Sequence, residues 1–369
     1  MKQTVVVFYG GKSAEHEVSV VSAFSVIKAL DYNQFNIQPM YISYEGNWIK
    51  GPELQAPIQN SEQLKFTISE TGDVLLGDGE KTQSVGQKIN IAEFAALENI
   101  IAFPVLHGPN GEDGTIQGLF ETLNIPYVGA NVIASSTGMD KIVSKEIFKA
   151  VDIPQVPFVA VRNVDWQDSK LEMIEAINTL NYPVFVKPAN MGSSVGISKV
   201  MKESELDAAM TEAFQFDRRI VVEPVVTARE IEVAVLGNER PEVSLAGEIM
   251  PKGDSHAFYT YKAKYADTST ELIIPSPLDD GVYDQIVEYA KQAYIALDGT
   301  GVSRADFFVT ADNSIYLNEL NTMPGFTPVS MFPLLWAESG LPYGELLNRM
   351  IELAMERYEQ KSRLQNKNN

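Results

Sequence analysis

Two apolar stretches in the last quarter of the chain, Arg304 to Val309 and Ile315 to Leu320, flank the turn-forming Thr310-Ala311-Asp312-Asn313-Ser314, which predicts a β-hairpin. Strand side chains alternate between faces. Arg304, Asp306 and Phe308 therefore share one face of the first strand, and Leu317, Glu319 and Asn321 one face of the second. Antiparallel pairing then brings Asp306, Glu319 and Asn321 together. Two carboxylates and an amide oxygen on an otherwise apolar sheet need compensation for their desolvation. Hard oxygen ligands suit magnesium with nucleotide phosphates rather than zinc, and a solvated polar sheet face is the other reading.

The rest of the chain alternates strands with helices. Thr4 to Tyr9 is a β-branched and aromatic run that stops at Gly10-Gly11, after which Val18, Val21, Phe24 and Ile27 recur at helical spacing up to Leu30. Asn36 to Ser43 and Ile100 to Leu106 read as further strands, and Val128-Gly129-Ala130 as the end of another, which together predict an open α/β sheet. A helical pattern from Asp140 to Val151 opens a second unit with strands at Pro183 to Lys187, Ile197 to Val200 and Ile220 to Glu223. A third unit starts near Thr227 with a strand from Ile231 to Leu236, and it closes with an amphipathic helix around Leu346 to Met355 and a polar tail from Gln360 to Asn369. Three units in 369 residues agree with the usual size of domains. The boundaries read as 1–135, 136–226 and 227–369.

Charge and composition exclude several functions. With 49 acidic against 29 basic residues the net charge is -20, which repels phosphate backbones and anionic lipid headgroups, so neither nucleic acid nor membrane is expected as a partner. No cysteine is present, which removes disulfides, thiolate metal sites and thiol nucleophiles. The apolar run at the N-terminus is too short for a signal-peptide core and no later run approaches a membrane span, so the expected location is the cytoplasm.

Three further clusters can carry chemistry. Gly10 to Ser19 is a glycine turn entering a helix N-terminus, able to hold an anion, but it lacks the G-x-G-x-x-G spacing of a dinucleotide site. By itself the segment reads more readily as a plain strand-to-helix turn, with solvated acids in the first turn favoured by the helix dipole. His107-Gly108-Pro109-Asn110-Gly111-Glu112-Asp113-Gly114 follows an apolar strand at the position where open α/β sheets bind ligands. Neither His16 nor His256 has a partner at zinc-ligand spacing. In Lys187-Pro188-Ala189-Asn190-Met191-Gly192-Ser193-Ser194-Val195-Gly196 two glycines bracket two hydroxyls, so the loop can fold over a terminal phosphate with Lys187 as point charge. A β-hairpin turn is the alternative, and the order of residues excludes a Walker A loop.

In this order the motifs Gly10 to Ser19, His107 to Gly114, Lys187-Pro188 with Gly192 to Gly196, Phe258 to Tyr265, Arg304-x-Asp306, and Glu319-x-Asn321-x-x-Pro324-Gly325 resemble the D-alanine-D-alanine ligase family of the ATP-grasp superfamily over essentially the whole length. The resemblance implies an α/β chain of three domains. An N-terminal open parallel α/β domain is followed by central and C-terminal α+β domains with nucleotide between them. It also implies that ATP joins two D-alanines for peptidoglycan precursors, with two magnesium ions, or manganese in their place, and a homodimeric assembly. By position, Lys141, Lys187, Ser193, Ser194, Glu223, Val226, Glu230 and Phe258 match the ATP-binding residues, with Pro224 in the hinge that reads adenine. Asp306, Glu319 and Asn321 match the metal ligands. Glu15 and His107 match the first D-alanine's binders, and Lys264, Ser330 and Met331 those of the second D-alanine's carboxylate. Glu15, Ser193, Tyr265, Arg304 and Gly325 match the catalytic set, Tyr265 bonding Ser193 and Ser193 bonding Glu15, while 252–271 corresponds to a lid.

The implied chemistry starts with attack of a carboxylate on the γ-phosphate to give an acyl phosphate, followed by attack of an amine whose oxyanion Arg304 and the Gly325 N-H stabilise. A nicotinamide-dependent dehydrogenase lacks its glycine fingerprint here. A non-catalytic ATP-binding scaffold would not need Lys187, Arg304, Asp306, Glu319 and Asn321 together. Another ATP-grasp carboxylate-amine ligase, or a ligase making the D-alanyl-D-lactate ester, is the nearest rival.

Overall fold

The computed structural model describes residues 2–77, 84–251, 270–327 and 329–364. Three sheets carry the architecture. The first comprises β1 (Gln3–Gly10), β2 (Phe35–Ile42), β3 (Trp48–Lys50), β6 (Gln87–Ile89) and β7 (Ile100–Pro104), in the order β6-β3-β2-β1-β7, while β4 (Phe66–Ile68) and β5 (Val74–Leu76) form a separate hairpin. β2, β1 and β7 run parallel, β3 pairs antiparallel with β2, and the edge strand β6 pairs antiparallel with β3. The second contains β8 (Val159–Arg162), β9 (Val184–Pro188), β10 (Ser198–Val200) and β11 (Arg219–Pro224), in the order β10-β9-β11-β8. In the third, β12 (Arg229–Gly237), β13 (Glu242–Pro251), β14 (Thr270–Ile273), β15 (Gly301–Val309) and β16 (Ile315–Asn321) pair antiparallel in the order β14-β13-β12-β15-β16.

β1 shows how the sequence positions the site. Its side chains alternate into two cores. Val5, Val7 and Tyr9 join Val20, Ala23, Val26 and Ile27 of the helix His16–Ala29, whereas Val6 and Phe8 face Phe94 and Phe120. The helical stripe differs from the expected one: Val21 is exposed and Val20 takes the buried place, because the helix packs on β1, on the Ser61–Leu64 turn and on the helix Tyr343–Ser362. Gly10 ends the strand with φ +88, and a Cβ there would collide with the Ile42 carbonyl, so only glycine permits the turn that swings the chain into Glu15 and the helix.

The first core does not stop at the first sheet. It continues into Val302, Phe326, Phe332, Leu346 and Met350, so the N-terminal sheet and the C-terminal helices share one apolar interior. Arg357, on the helix Tyr343–Ser362, strengthens that junction by donating to the carbonyls of Tyr127 and Gly129, each at 2.7 Å, and to Thr300 Oγ1 at 2.6 Å. By contrast Val161, Val184, Val186 and Val222 of the second sheet form a core of their own. The helix Lys141–Ala150, whose pattern marks the opening of the second unit, sends Phe148 under the third sheet beside Ile231, Phe307 and Leu317. The expected strand end at Val128-Gly129-Ala130 is only a single bridge, between Ala102 and Tyr127.

One register detail shapes the site. Arg304 pairs with Asn321 and Asp306 with Glu319, as alternation predicts, but the register shifts between Asp306 and Phe307, and Leu317 pairs with Phe307. This bulge turns Leu317 into the core and away from the face shared by Glu319 and Asn321.

Phe8 is fully buried, with ring centroids 5.4 Å from Trp48 and 5.2 Å from both Phe94 and Phe120. Phe8→Ala should therefore lower unfolding free energy by about 3–5 kcal/mol, read as a fall in the urea midpoint at unchanged slope.

Candidate active site

Sheet ends and loops from all three units converge on one cleft of about 670 Å³, partly open to solvent. The first unit supplies Glu15 and His107, the loop between β9 and β10 supplies Ser193, and the β15-β16 hairpin with its following loop supplies Arg304, Glu319, Asn321 and Gly325. Lys141, at the start of its helix, completes the wall.

Glu15 is 7% exposed at the N-terminus of the helix His16–Ala29, where the helix dipole favours its charge. Its side chain does not cap the helix but accepts a hydrogen bond from Ser193 Oγ, linking the first unit to the glycine-serine loop. Glycines allow that approach. Gly108 has φ +75, and a Cβ on it would lie 2.7 Å from Ser13 Oγ and 2.8 Å from Glu15 Oε2. Beside it His107 is buried, with Nε2 3.1 Å from Ser22 Oγ and Nδ1 3.4 Å from Glu112 Oε1. Burial opposes its protonated form, yet the nearby Glu112 and Glu15 carboxylates outweigh that and hold the imidazole pKa above its ordinary value.

The glycine-serine loop is held from below. Asn190 donates through Nδ2 to Asp140 Oδ2 at 3.1 Å and to Asp217 Oδ2 at 2.9 Å, and Arg219 pairs with Asp140. Asp140 also caps the helix Lys141–Ala150, accepting from the N-H groups of Ile142 and Val143 at 3.1 Å. Above this network Ser193 and Ser194 both adopt positive φ, 51 and 59. Lys141 Nζ donates to the Met191 carbonyl at 2.8 Å and lies 3.7 Å from Glu319 Oε2.

Deeper under the loop, Glu223 is nearly fully buried between two lysines, with Lys145 Nζ at 2.6 Å and Lys187 Nζ at 2.5 Å. Desolvation alone would raise its pKa. The paired ammonium groups prevail and lower it to about 2.

On the third sheet Arg304 Nε and Nη2 donate to the two oxygens of Asp306 at 2.7 and 2.6 Å, and Nε also lies 3.0 Å from Glu232 Oε2. Burial works against the Arg304 charge, but Asp306 and Glu232 raise its pKa well above the ordinary value. Asp306 and Glu319 face each other across β15 and β16, with Asn321 one pair further on. Among the described residues no group of three or more His, Cys, Asp or Glu side chains is placed to hold a metal ion, so a metal here would rest on two carboxylates and the Asn321 amide oxygen. Such hard donors fit magnesium or manganese.

Asp306, Lys187, Ser194 and Glu223 are not among the residues that line the cleft, and the remaining described site residues also lie off its wall. Glu230 sits on β12 opposite Phe308 and Ile249, Pro224 ends β11 opposite Val184, and Val226 lies in the segment that joins β11 to β12. Ser330 Oγ accepts from the Thr327 N-H at 3.0 Å, and Met331 starts the helix Met331–Glu338. Phe258, Lys264, Tyr265 and His256 lie outside the described residues, as does the 252–271 segment apart from its end. Sequence reasoning missed Lys145 and Glu232, placed Asp140 only at a helix start, and named Glu112 only as part of its loop. Lys145 is one helical turn from Lys141 and Glu232 two strand positions from Glu230, spacings that put each on the face of a residue already singled out. His16, by contrast, is structural, bridging the Gly11 carbonyl at 2.7 Å and Tyr41 Oη at 3.0 Å.

Two family models match the chain, "D-ala D-ala ligase N-terminus" over residues 4–130 and "D-ala D-ala ligase C-terminus" over 147–352. The D-alanine-D-alanine ligase of Listeria monocytogenes is 56% identical over 369 residues, covering 100% of this chain and 99% of the relative. That of Enterococcus faecalis is 51% identical over 356 residues, covering 96% and 99%. Among solved structures, the D-alanine-D-alanine ligase from Coxiella burnetii aligns with a TM-score of 0.78 at 33% identity, over 98% of this chain and 96% of that one. The VanG D-Ala:D-Ser ligase from Enterococcus faecalis aligns at 0.77 and 32%, over 96% and 100%.

The buried Glu223 charge predicts a specific acid response. Stability from a carboxylate with lowered pKa is complete above the ordinary 4.5 and is lost as pH falls toward about 2. Glu223→Gln should cost about 3–5 kcal/mol at pH 7, and urea unfolding at successive pH values should show that gap closing between pH 4.5 and 2.

Proposed function

The chain belongs to the D-alanine-D-alanine ligase family, and from that premise we infer that it joins two D-alanine molecules in an ATP-dependent reaction, giving the D-alanyl-D-alanine of peptidoglycan precursors. The observation that carries this reading is the meeting of Glu15, Ser193, Arg304, Glu319 and Asn321 in one cleft. The same cleft combines an anion suited to an ammonium group, a loop and Lys141 suited to phosphate, and hard oxygen donors suited to a divalent cation.

Residue roles belong to the same proposal. Glu15, with His107 behind it, orients the ammonium of the first D-alanine so that its carboxylate faces the γ-phosphate. Lys141, Lys187, Ser193 and Ser194 hold the phosphates, and Glu223, Val226, Glu230 and Phe258 the adenosine. Asp306, Glu319 and Asn321 would hold two magnesium or manganese ions, which when bound neutralise phosphate charge. The carboxylate oxygen forms a bond to the γ-phosphorus and ADP departs, leaving an acyl phosphate. Ser330, the Met331 backbone and Lys264 seat the second D-alanine, whose amine then attacks the carbonyl carbon. Arg304 and the Gly325 N-H stabilise the oxyanion before phosphate departs. Tyr265 is assigned to the Ser193-Glu15 hydrogen-bond chain, and the 252–271 segment to a cover that excludes water from the acyl phosphate. Domains at 1–135, 136–226 and 227–369, a homodimer and a cytoplasmic location complete the proposal. Among the described residues no helix is long and apolar enough to cross a membrane.

The direct test is ADP release with D-alanine against L-alanine and D-lactate, with the dipeptide identified as product. Removing divalent cations should stop turnover. Glu319→Ala should lower it by about 100-fold or more, the scale of losing one preorganised charge-stabilising group, while the circular dichroism spectrum stays unchanged. Full activity of that variant would remove Glu319 from the metal site.

A further inference from the structure

Glu232 on β12 pairs in register with Asp306 on β15, and Asp306 pairs with Glu319 on β16, so three carboxylates occupy one row across three strands. Like charges directly opposite one another destabilise a sheet, and Glu232 and Asp306 are only 5% and 9% exposed. Arg304, two residues before Asp306 on the same strand face, compensates the row: it uses Nε and Nη2 on Asp306 and keeps Nε 3.0 Å from Glu232. Arg304 lines the cleft, while Glu232 stands behind it and off the cleft wall.

This arrangement poses a competition. Both Asp306 oxygens receive Arg304 N-H groups in the structure, and the same oxygens are the ones a divalent cation would take. A cation that takes these oxygens along the lone pairs now used by Arg304 would displace the guanidinium from Asp306. Among the described residues Glu232 is the other carboxylate paired with the guanidinium. We propose that Glu232 is a positioning residue for ligation, the fallback partner that receives Arg304 when the cation takes Asp306 and holds the guanidinium against the cleft where the oxyanion forms. Glu232 thereby lowers the cost of metal entry and fixes the group that acts in the second step. This inference rests on the metal and oxyanion roles assigned above to Asp306, Glu319, Asn321 and Arg304.

The test uses the whole chain and four forms of it: wild type, Glu232→Gln, Arg304→Met and the double variant. Mn²⁺ affinity is measured by electron paramagnetic resonance in the presence of ADP. Glu232→Gln alone should weaken Mn²⁺ binding about tenfold, within the range found for residues that orient metal ligands. In the Arg304→Met background the same change should have less than about a twofold effect, because no guanidinium then competes for Asp306. A second readout is kinetic. Glu232→Gln should lower kcat with the KM for ATP nearly unchanged, Glu232→Asp should recover part of the loss, and Glu232→Gln should add nothing to the loss caused by Arg304→Met. Equal weakening of Mn²⁺ binding in both backgrounds would reduce Glu232 to a distant negative charge and overturn the proposal, as would no weakening in either. A Glu319→Ala control separates the two levels: Mn²⁺ binding that survives it undermines the metal assignment itself rather than the part given to Glu232.

Discussion

Charge that is buried in a sheet must be matched within hydrogen-bond reach, and the β12-β15-β16 face is organised by that requirement. The Glu232, Asp306 and Glu319 row is compensated by Arg304, two residues along β15, and by Lys141 3.7 Å from Glu319. Ordinary packing supports the other side of the same strands, where Ile231, Val233, Phe307 and Leu317 are almost completely buried. The bulge after Asp306 lets both demands be met. It keeps Asp306 beside Glu319 and turns Leu317 inward one step later.

A similar logic governs the second sheet. Glu223 lies between Lys145 and Lys187, two cations from different elements, one on the helix Lys141–Ala150 and one on β9. That helix has its apolar face under the third sheet and its lysines under the second, so it ties the glycine-serine loop to the carboxylate row. Asp140 completes the tie by capping the helix and pairing with Arg219 and Asn190 below the loop. The ion pairs therefore hold the second and third units internally, while Ser193 on Glu15 and Lys141 beside Glu319 link one unit to another at the cleft.

Much of this was legible beforehand. The Arg304 to Asn321 hairpin was readable because period-two alternation is a local property, and the observed pairs Arg304-Asn321 and Asp306-Glu319 match it. Strands at Thr4 to Tyr9 and Asn36 to Ser43 were readable from β-branched runs bounded by turn residues, and their observed limits, Gln3–Gly10 and Phe35–Ile42, differ by one residue at each end. The buried face of the first helix was misread at Val21, since spacing reports a stripe but not how many neighbours press on it. Lys145 and Glu232 escaped notice because a charged residue in a helix or strand reads as solvated until its partner is known. Both partners are remote in sequence: Glu223 for Lys145 and Arg304 for Glu232.

The sequence by itself determined the elements, the order of the chemical motifs along the chain and the family they resemble, since each depends on residues a few positions apart. Tertiary structure alone decided that the N-terminal sheet shares its core with the C-terminal helices and that Arg304 lies on Asp306 and Glu232. The physical reason is range. Backbone propensity and side-chain periodicity act over one or two turns, whereas compensation of buried charge and filling of a core depend on which distant segments meet.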